Sequence, residues 1–245
     1  MLPLFKENNF LPDLASIPDE IAHAATILWL NYPNNPTAAV ADRHFFEEVV
    51  TFAHTYHIMV CNDLTYSEIA FDGYKPMSLL EIKGARDIGI EFHSLSKTFN
   101  MTGWRIGFAV GSSEAIKGLG AMKSNIDSGI FQAIQVAGVE ALRAVEESSG
   151  AMQNIYTRRR DIMVNGLREC GFTVNPPKAT FYLWVAVPDS YTSVDFTTRL
   201  LEEAGVVVTP GNGFGDPGEG YIRLALTKDE SRLVEAIERI KNIGI

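Results

Sequence analysis

The chain has 245 residues, of which 46% are hydrophobic and 21% charged, so it can bury the core of one large or two small domains. Its formal net charge of −9 argues against the basic surface that nucleic-acid-binding proteins need. There is no apolar run long enough to span a membrane, and Met1–Glu7 lacks the basic-then-apolar pattern of a signal peptide. Two cysteines without metal-ligand spacing, Cys61 and Cys170, favour a reducing compartment. We therefore predict a cytoplasmic protein with no metal site.

The first part of the chain alternates apolar runs with helical patterns, as α/β proteins do. After an irregular lead-in, a short helix is predicted over Ile17–His23 and a buried strand over Thr26–Leu30. Asp42 is a favourable N-cap for a helix whose apolar stripe runs to His57. Further strands are predicted over Ile58–Cys61, Ile88–Phe92 and Ile106–Val110. Because parallel strands need crossover connections, this pattern indicates one mostly parallel sheet with flanking helices.

From Ser113 onwards the pattern changes to helices followed by a smaller α+β segment. Helices are predicted over Ala115–Lys123, Ile130–Ala144 and Ala151–Cys170, with a break over residues 146–150. The later elements are strands Phe172–Val174, Thr180–Val187, Val206–Thr209 and Tyr221–Leu226, and helices Val194–Ala204 and Lys228–Ile240. Gly205 is predicted to end the first of these two helices in the left-handed conformation. The predicted domains are a sheet domain over 1–128, connecting helices over 129–170 and a small domain over 171–245.

The most informative stretch is Ser94–Gly107, which lies between two predicted strands. Lys97 follows two serines, Ser94 and Ser96, and Arg105 lies eight residues further on. A lysine that is partly withdrawn from water loses its proton more readily and can attack a carbonyl group to form a Schiff base. The hydroxyls and the guanidinium supply donors that hold a phosphate. A Schiff-base lysine beside phosphate ligands points to pyridoxal 5′-phosphate.

Polar residues also follow two other predicted strands, at the edge where α/β sheets bind ligands. Asp63 comes just past a strand, where its carboxylate can pair with a pyridinium nitrogen and keep that nitrogen protonated. Tyr66 can place its phenol beside the 3-oxygen of the same ring, and Asn35 is a neutral donor for that oxygen. Taken singly, these residues are a loop-capping aspartate, a core tyrosine and a turn asparagine. Together with Lys97 they indicate a cofactor site.

These motifs resemble those of the class I/II (fold type I) aminotransferases. Ser94-Leu95-Ser96-Lys97 and the following Gly-Trp-Arg-x-Gly look like the family's cofactor-lysine motif, and Asn35-Pro36-Thr37 and Asp63-Leu64-Thr65-Tyr66 stand in the family's order and spacing. The resemblance implies that Lys97 forms the Schiff base with pyridoxal 5′-phosphate and then moves the proton of the substrate. It implies that Ser94, Ser96 and Arg105 hold the phosphate.

The resemblance also assigns the substrate site. Arg223 matches the family's arginine that binds the substrate α-carboxylate, and Asn35 is implied to assist it. Three further stretches, Phe10–Leu14, Ser128–Gln135 and Thr209–Gly215, are similar to the LL-diaminopimelate aminotransferase group of this family. That group moves an amino group between glutamate and tetrahydrodipicolinate in lysine biosynthesis.

One departure from the family lies at the front of the chain. Family members carry a long segment before the Asn-Pro-Thr strand, and it contributes phosphate ligands and a ring that stacks on the cofactor. No such segment precedes Thr26 here, so we expect a chain that corresponds to the carboxy-terminal portion of an aminotransferase. Its bared sheet edges predict a homodimer or a complementing N-terminal fragment as partner, and inactivity without one.

Three alternatives remain open at this point. The chain could act on alanine, aspartate or aromatic amino acids, or it could be a C–S lyase of the same superfamily. It could also be a non-catalytic module that binds a partner chain.

Overall fold

The computed structural model describes residues 1–244, and for Glu146 and Glu147 the backbone alone. The chain divides into two compact units. The four-stranded unit comprises Asp13–Pro33 and Val40–Met152, and the three-stranded unit comprises Met1–Pro12, Asn34–Ala39 and the chain from Gln153 onwards. The domain boundaries after residues 128 and 170 remain predictions. None of the helices in the described chain is long and apolar enough to cross a membrane.

The sheet of the four-stranded unit confirms the four strands expected in this region. They are β1 (Ile27–Asn31), β2 (Met59–Asp63), β3 (Gly89–Ser94) and β4 (Gly107–Gly111). Their order in the sheet is β1-β2-β3-β4, with the first three parallel and β4 antiparallel to β3. In this register Asn31 pairs with Asp63, and Asp63 pairs with Phe92. The carboxyl ends of the parallel strands therefore meet at one edge of the sheet.

Six helices accompany this sheet in the described chain. They are α1 (Asp19–Ala24), α2 (Arg43–Tyr56), α3 (Ala85–Ile88), α4 (Leu95–Thr98), α5 (Ser113–Ile126) and α6 (Gln132–Arg143). The side chain of Asp42 accepts a hydrogen bond from the Phe45 amide at 2.9 Å, which confirms the predicted N-cap of α2. The apolar stripe of α2 is buried and packs against β2.

The three-stranded unit is an antiparallel sheet covered by helices on one face. Its strands are β5 (Tyr182–Ala186), β6 (Thr209–Pro210) and β7 (Tyr221–Ala225), in the order β5-β7-β6. Its helices are α7 (Val145–Glu169, which enters the unit at Gln153), α8 (Ser193–Ala204) and α9 (Glu230–Ile243). Gly205 ends α8 with φ +61°, as predicted. Side chains alternate between the buried face, which carries Ile222 and Leu224, and the opposite face, which carries Tyr221 and Arg223.

Two expectations about the later elements are wrong, and the strand expected over Val206–Thr209 is found only at Thr209–Pro210. Residues Phe172–Val174 form no strand, because the guanidinium of Arg168 donates two hydrogen bonds to the carbonyl of Val174, at 3.0 and 2.7 Å, where a neighbouring strand would pair. The predicted break over residues 146–150 is absent, since α7 begins at Val145. Serine and acidic residues are compatible with the first turn of a helix, so this composition does not separate a break from a helix start.

Candidate active site

Asp63 lies at the carboxyl end of β2, half-buried and fixed by its neighbours. Its Oδ1 accepts hydrogen bonds from the amide and the hydroxyl of Thr65, at 3.2 and 2.8 Å. The side chain of Asn31, at the end of β1, donates to the backbone carbonyl of Asp63 at 2.9 Å. Among the described residues no donor lies on Oδ2 of Asp63. One carboxylate oxygen is thus held in place, and the other can accept a hydrogen bond from a ligand.

The segment that follows β3 carries the predicted lysine. Ser94 caps α4, its hydroxyl accepting a hydrogen bond from the amide of Ser96 at 3.2 Å. Lys97 is half-buried on that turn, and the hydroxyl of Thr102 donates to the carbonyl of Ser96 at 3.1 Å. Arg105 is exposed, adopts the left-handed conformation with φ +54°, and donates to the carbonyl of Thr102 at 3.0 Å. Local hydrogen bonds therefore fold this segment back beside the end of β3.

Strand β4 approaches this segment closely because it contains glycine. A Cβ atom at Gly107 would lie 2.5 Å from the backbone oxygen of His93, which no side chain can tolerate without a backbone shift. Gly107 pairs with Ser94 in the sheet register. The glycine thus sets the spacing between the two strands at the position of Ser94.

Sequence reasoning missed a buried carboxylate beneath this edge, Glu91 on β3. The side chain is 1% exposed and accepts hydrogen bonds from Asn62 Nδ2 at 3.0 Å, the Leu79 amide at 2.7 Å and the Ser78 hydroxyl at 2.6 Å. Burial alone would raise the pKa of Glu91, but the neighbouring His93 imidazole and these three donors outweigh burial, so the pKa is lowered from its ordinary value. The apolar strand pattern Ile88–Phe92 gave only one signal, a glutamate inside a buried run.

Tyr66 is buried in the turn region after β2, with 4% of its surface exposed. The four-stranded unit therefore contains six of the predicted cofactor residues: Asp63, Tyr66, Ser94, Ser96, Lys97 and Arg105. Their individual roles stay predictions.

The other two predicted residues, Asn35 and Arg223, meet in the three-stranded unit. Nη1 of Arg223 donates to Oδ1 of Asn35 at 2.7 Å, and Nη2 donates to the hydroxyl of Thr209 at 3.3 Å. The guanidinium carbon lies 4.4 Å from the ring centre of Tyr182 and 4.8 Å from that of Phe214. A pocket of about 380 Å³ opens beside Asn35, with Trp184 and Phe214 among its walls. The predicted substrate residues are thus brought into hydrogen-bond contact next to a cavity.

The family of this chain follows from its similarity to known proteins. Residues 2–240 match the family model "Aminotransferase class I and II", and the chain belongs to this family. The LL-diaminopimelate aminotransferase 2 of Nostoc sp. is 57% identical over 244 residues, which cover 100% of this chain and 63% of the relative. The LL-diaminopimelate aminotransferase of Syntrophobacter fumaroxidans is 54% identical over 99% of this chain and 63% of its own length. The chain therefore spans about 63% of the length of the curated relatives that it matches.

Solved structures agree with this assignment. Substrate-bound BacF from Bacillus subtilis superposes with a TM-score of 0.95 at 38% identity, covering 100% of this chain and 62% of its own. A probable N-succinyldiaminopimelate aminotransferase from Thermus thermophilus superposes with a TM-score of 0.91 at 37% identity. The match covers 99% of this chain and 64% of that protein's chain. The predicted α/β aminotransferase fold is confirmed.

Aminotransferases of this family depend on pyridoxal 5′-phosphate, and the donors of the four-stranded unit fit that cofactor. Hydroxyls of Ser94 and Ser96 and the guanidinium of Arg105 suit a phosphate, and the Lys97 amine suits an aldehyde. The open Oδ2 of Asp63 suits a protonated ring nitrogen.

Proposed function

We propose that this chain is the cofactor-lysine portion of an aminotransferase that moves an amino group between an amino acid and a 2-oxo acid. We further propose LL-diaminopimelate and 2-oxoglutarate as its substrates, in lysine biosynthesis. The observation that carries the proposal is the placement of Asp63 and the Ser94–Lys97 segment at the ends of two adjacent parallel strands. The substrate choice is supported by relatives of that name at 52–57% identity over nearly the whole chain. Solved aromatic and aspartate aminotransferases are less similar, at 29–30%.

The cofactor, when bound, supplies an electron sink that makes the α-proton of the amino acid acidic. Asp63 would keep a proton on the ring nitrogen, because a nearby carboxylate favours the charged form of that nitrogen. The amine of Lys97 takes the proton from the substrate Cα and later returns a proton, acting as base and then as acid. Ser94, Ser96 and Arg105 anchor the phosphate so that Lys97 stays aligned with the reacting carbon.

The substrate is held through its carboxylate. Arg223 offers a fork of N–H donors that matches both carboxylate oxygens, and Asn35 fixes one end of that fork. The phenol of Tyr66 would donate to the 3-oxygen of the cofactor ring. These roles are the ones that the family resemblance implies, and the donor chemistry of each side chain supports them.

We also propose a second copy of this chain as partner. Large apolar side chains are exposed on β1, on α5 and just before α6, among them Trp29 at 60%, Ile126 at 75% and Phe131 at 73%. Exposure of this size is typical of interaction surfaces, and β1 and β4 are open edges of the sheet in the described chain. Light scattering after size-exclusion chromatography checks the proposal. A concentration-independent monomer contradicts it and favours a complementing polypeptide instead.

The free thiols of Cys61 and Cys170 support a cytoplasmic location.

The substrate proposal is tested by turnover. The purified chain is supplied with pyridoxal 5′-phosphate, 2-oxoglutarate and one amino donor at a time, and glutamate formation is measured. We expect activity with LL-diaminopimelate that Lys97→Ala abolishes. Activity with aspartate, alanine or phenylalanine in its place would move the assignment to another branch of the family. No turnover with any donor would contradict activity of the chain by itself, and would favour either the non-catalytic module or a chain that needs a complementing N-terminal fragment.

A further inference from the structure

The guanidinium of Arg223 is surrounded by aromatic rings rather than by carboxylates. Tyr182, from β5, and Phe214, from the turn after β6, both lie within 5 Å of the guanidinium carbon, at 4.4 and 4.8 Å. Both distances fall inside the range in which a cation is attracted to the face of a ring. Tyr182 lies on the same sheet face as Arg223, because Tyr182 pairs with Ala225 two residues further along β7.

Two other arginines of the same unit provide an internal comparison. Arg159 lies 5.6 Å from the ring of Tyr156 and forms an ion pair with Asp229 at 3.2 Å. Arg199 lies 5.4 Å from Tyr191 and pairs with Glu203 at 3.1 Å. The guanidinium of each of these two arginines thus lies near one aromatic ring and pairs with a carboxylate.

Arg223 has two closer rings, and its hydrogen-bond acceptors Asn35 and Thr209 are both neutral. These bonds orient the guanidinium without neutralising its charge. Its Nε is buried and has no hydrogen-bond partner among the described residues. A guanidinium has five N–H groups, so the two hydrogen bonds leave donors for an anion.

We propose that Tyr182 and Phe214 are positioning residues that hold the Arg223 guanidinium ready for the substrate α-carboxylate. The two rings restrict the guanidinium to one orientation and supply attraction without opposing charge. A side chain that is already ordered loses less entropy when it binds. Asn35 and Thr209 fix the rotation of the guanidinium through their hydrogen bonds to Nη1 and Nη2. The inference rests on the proposed function, in which Arg223 binds that carboxylate.

The test compares two ligands that differ only at the α-carboxyl group. These are L-glutamate and L-isoglutamine, in which that group is an amide. Their dissociation constants are measured for the full chain by ligand-observed NMR titration. We expect Tyr182→Leu and Phe214→Leu each to weaken glutamate binding about three- to tenfold, while isoglutamine binding changes less than about twofold.

Two control variants test whether a loss of affinity comes from the rings beside the Arg223 guanidinium. Tyr182→Phe keeps the ring and is expected to retain more of the selectivity for glutamate than Tyr182→Leu. Tyr221→Leu removes an aromatic ring that stacks on Trp184 instead of the guanidinium, and is expected to leave both affinities unchanged. Arg223→Lys separates the two proposals, because it removes glutamate selectivity if Arg223 binds the α-carboxylate.

Each remaining outcome has a defined meaning. If Arg223→Lys removes the selectivity but both leucine variants retain it, the positioning role is wrong and the proposed function stands. If the leucine variants weaken both ligands equally, the rings only support the fold, and the positioning role is again wrong. If the wild type binds glutamate no better than isoglutamine, both the positioning role and the carboxylate role of Arg223 are refuted.

Discussion

Replacing Glu91 by leucine tests whether the buried carboxylate stabilises the sheet beneath the site. Leucine has a similar size but accepts no hydrogen bond. The Leu79 amide and the Asn62 side chain would lose the acceptor that now lies at 2.7 and 3.0 Å. Both donors are buried, whereas the half-buried Ser78 hydroxyl can turn towards water. Each unpaired buried donor costs about 1–3 kcal/mol, so we expect Glu91→Leu to lower the free energy of unfolding by roughly 3 kcal/mol at pH 7.

The assay is guanidinium chloride denaturation followed by far-ultraviolet circular dichroism. Glu47→Leu is the matched control, because Glu47 is exposed on α2 and such surface changes usually stay within about 0.5 kcal/mol. A loss below about 0.5 kcal/mol for Glu91→Leu would show that the hydrogen bonds to the carboxylate do not stabilise the fold.

The stability lost in Glu91→Leu should depend on pH, and the direction follows from the pKa of Glu91. The pKa of Glu91 is lowered in the folded chain, so the unfolded chain binds the proton first as the pH falls. The stabilisation is therefore complete above the unfolded pKa, about 4.3, and is lost as the pH falls through the folded pKa. The difference between wild type and Glu91→Leu should be largest at pH 7 and shrink below about pH 4. An equal stability difference between wild type and Glu91→Leu at pH 7 and below about pH 4 would show that the ionised carboxylate does not stabilise the fold.

Three shorter predictions concern the same unit. Asp42→Ala removes the N-cap of α2 and should lower the free energy of unfolding by about 1 kcal/mol in the same denaturation assay. Gly107→Ala forces a backbone shift beside Ser94 and should raise the dissociation constant for pyridoxal 5′-phosphate, whereas Gly103→Ala, with open space around its Cβ, should not. Trp29→Lys should weaken self-association in light scattering and leave the denaturation midpoint nearly unchanged, since Trp29 is 60% exposed.

Sequence patterns predicted the elements whose signals are local. The caps at Asp42 and Gly205 were found because the chemistry of a helix end depends on one residue. The four strands of the larger sheet were found because each is a short apolar run between turns. The strand expected at Phe172–Val174 does not form; the side chain of Arg168, in the helix just before it, donates to the carbonyl of Val174, and an apolar pattern does not reveal such a contact.

The candidate site shows the same division. Strand-end position and the lysine motif singled out Asp63 and Lys97, whose roles stay predictions. Glu91 was missed because its partners Ser78 and Leu79 come from a loop that meets β3 only in the folded chain. The rings around Arg223 were missed for the same reason, since Tyr182 on β5 and Phe214 in the turn after β6 meet Arg223 only in the folded unit.

In the proposed function Lys97 reacts with pyridoxal 5′-phosphate, and a visible absorption spectrum of the purified chain tests this reaction. The purified chain and its Lys97→Ala variant are each mixed with the cofactor, and L-glutamate is then added. We predict an absorption band in the wild type that Lys97→Ala lacks and that glutamate bleaches. Identical spectra for the two proteins would contradict the assignment of Lys97 as the cofactor lysine.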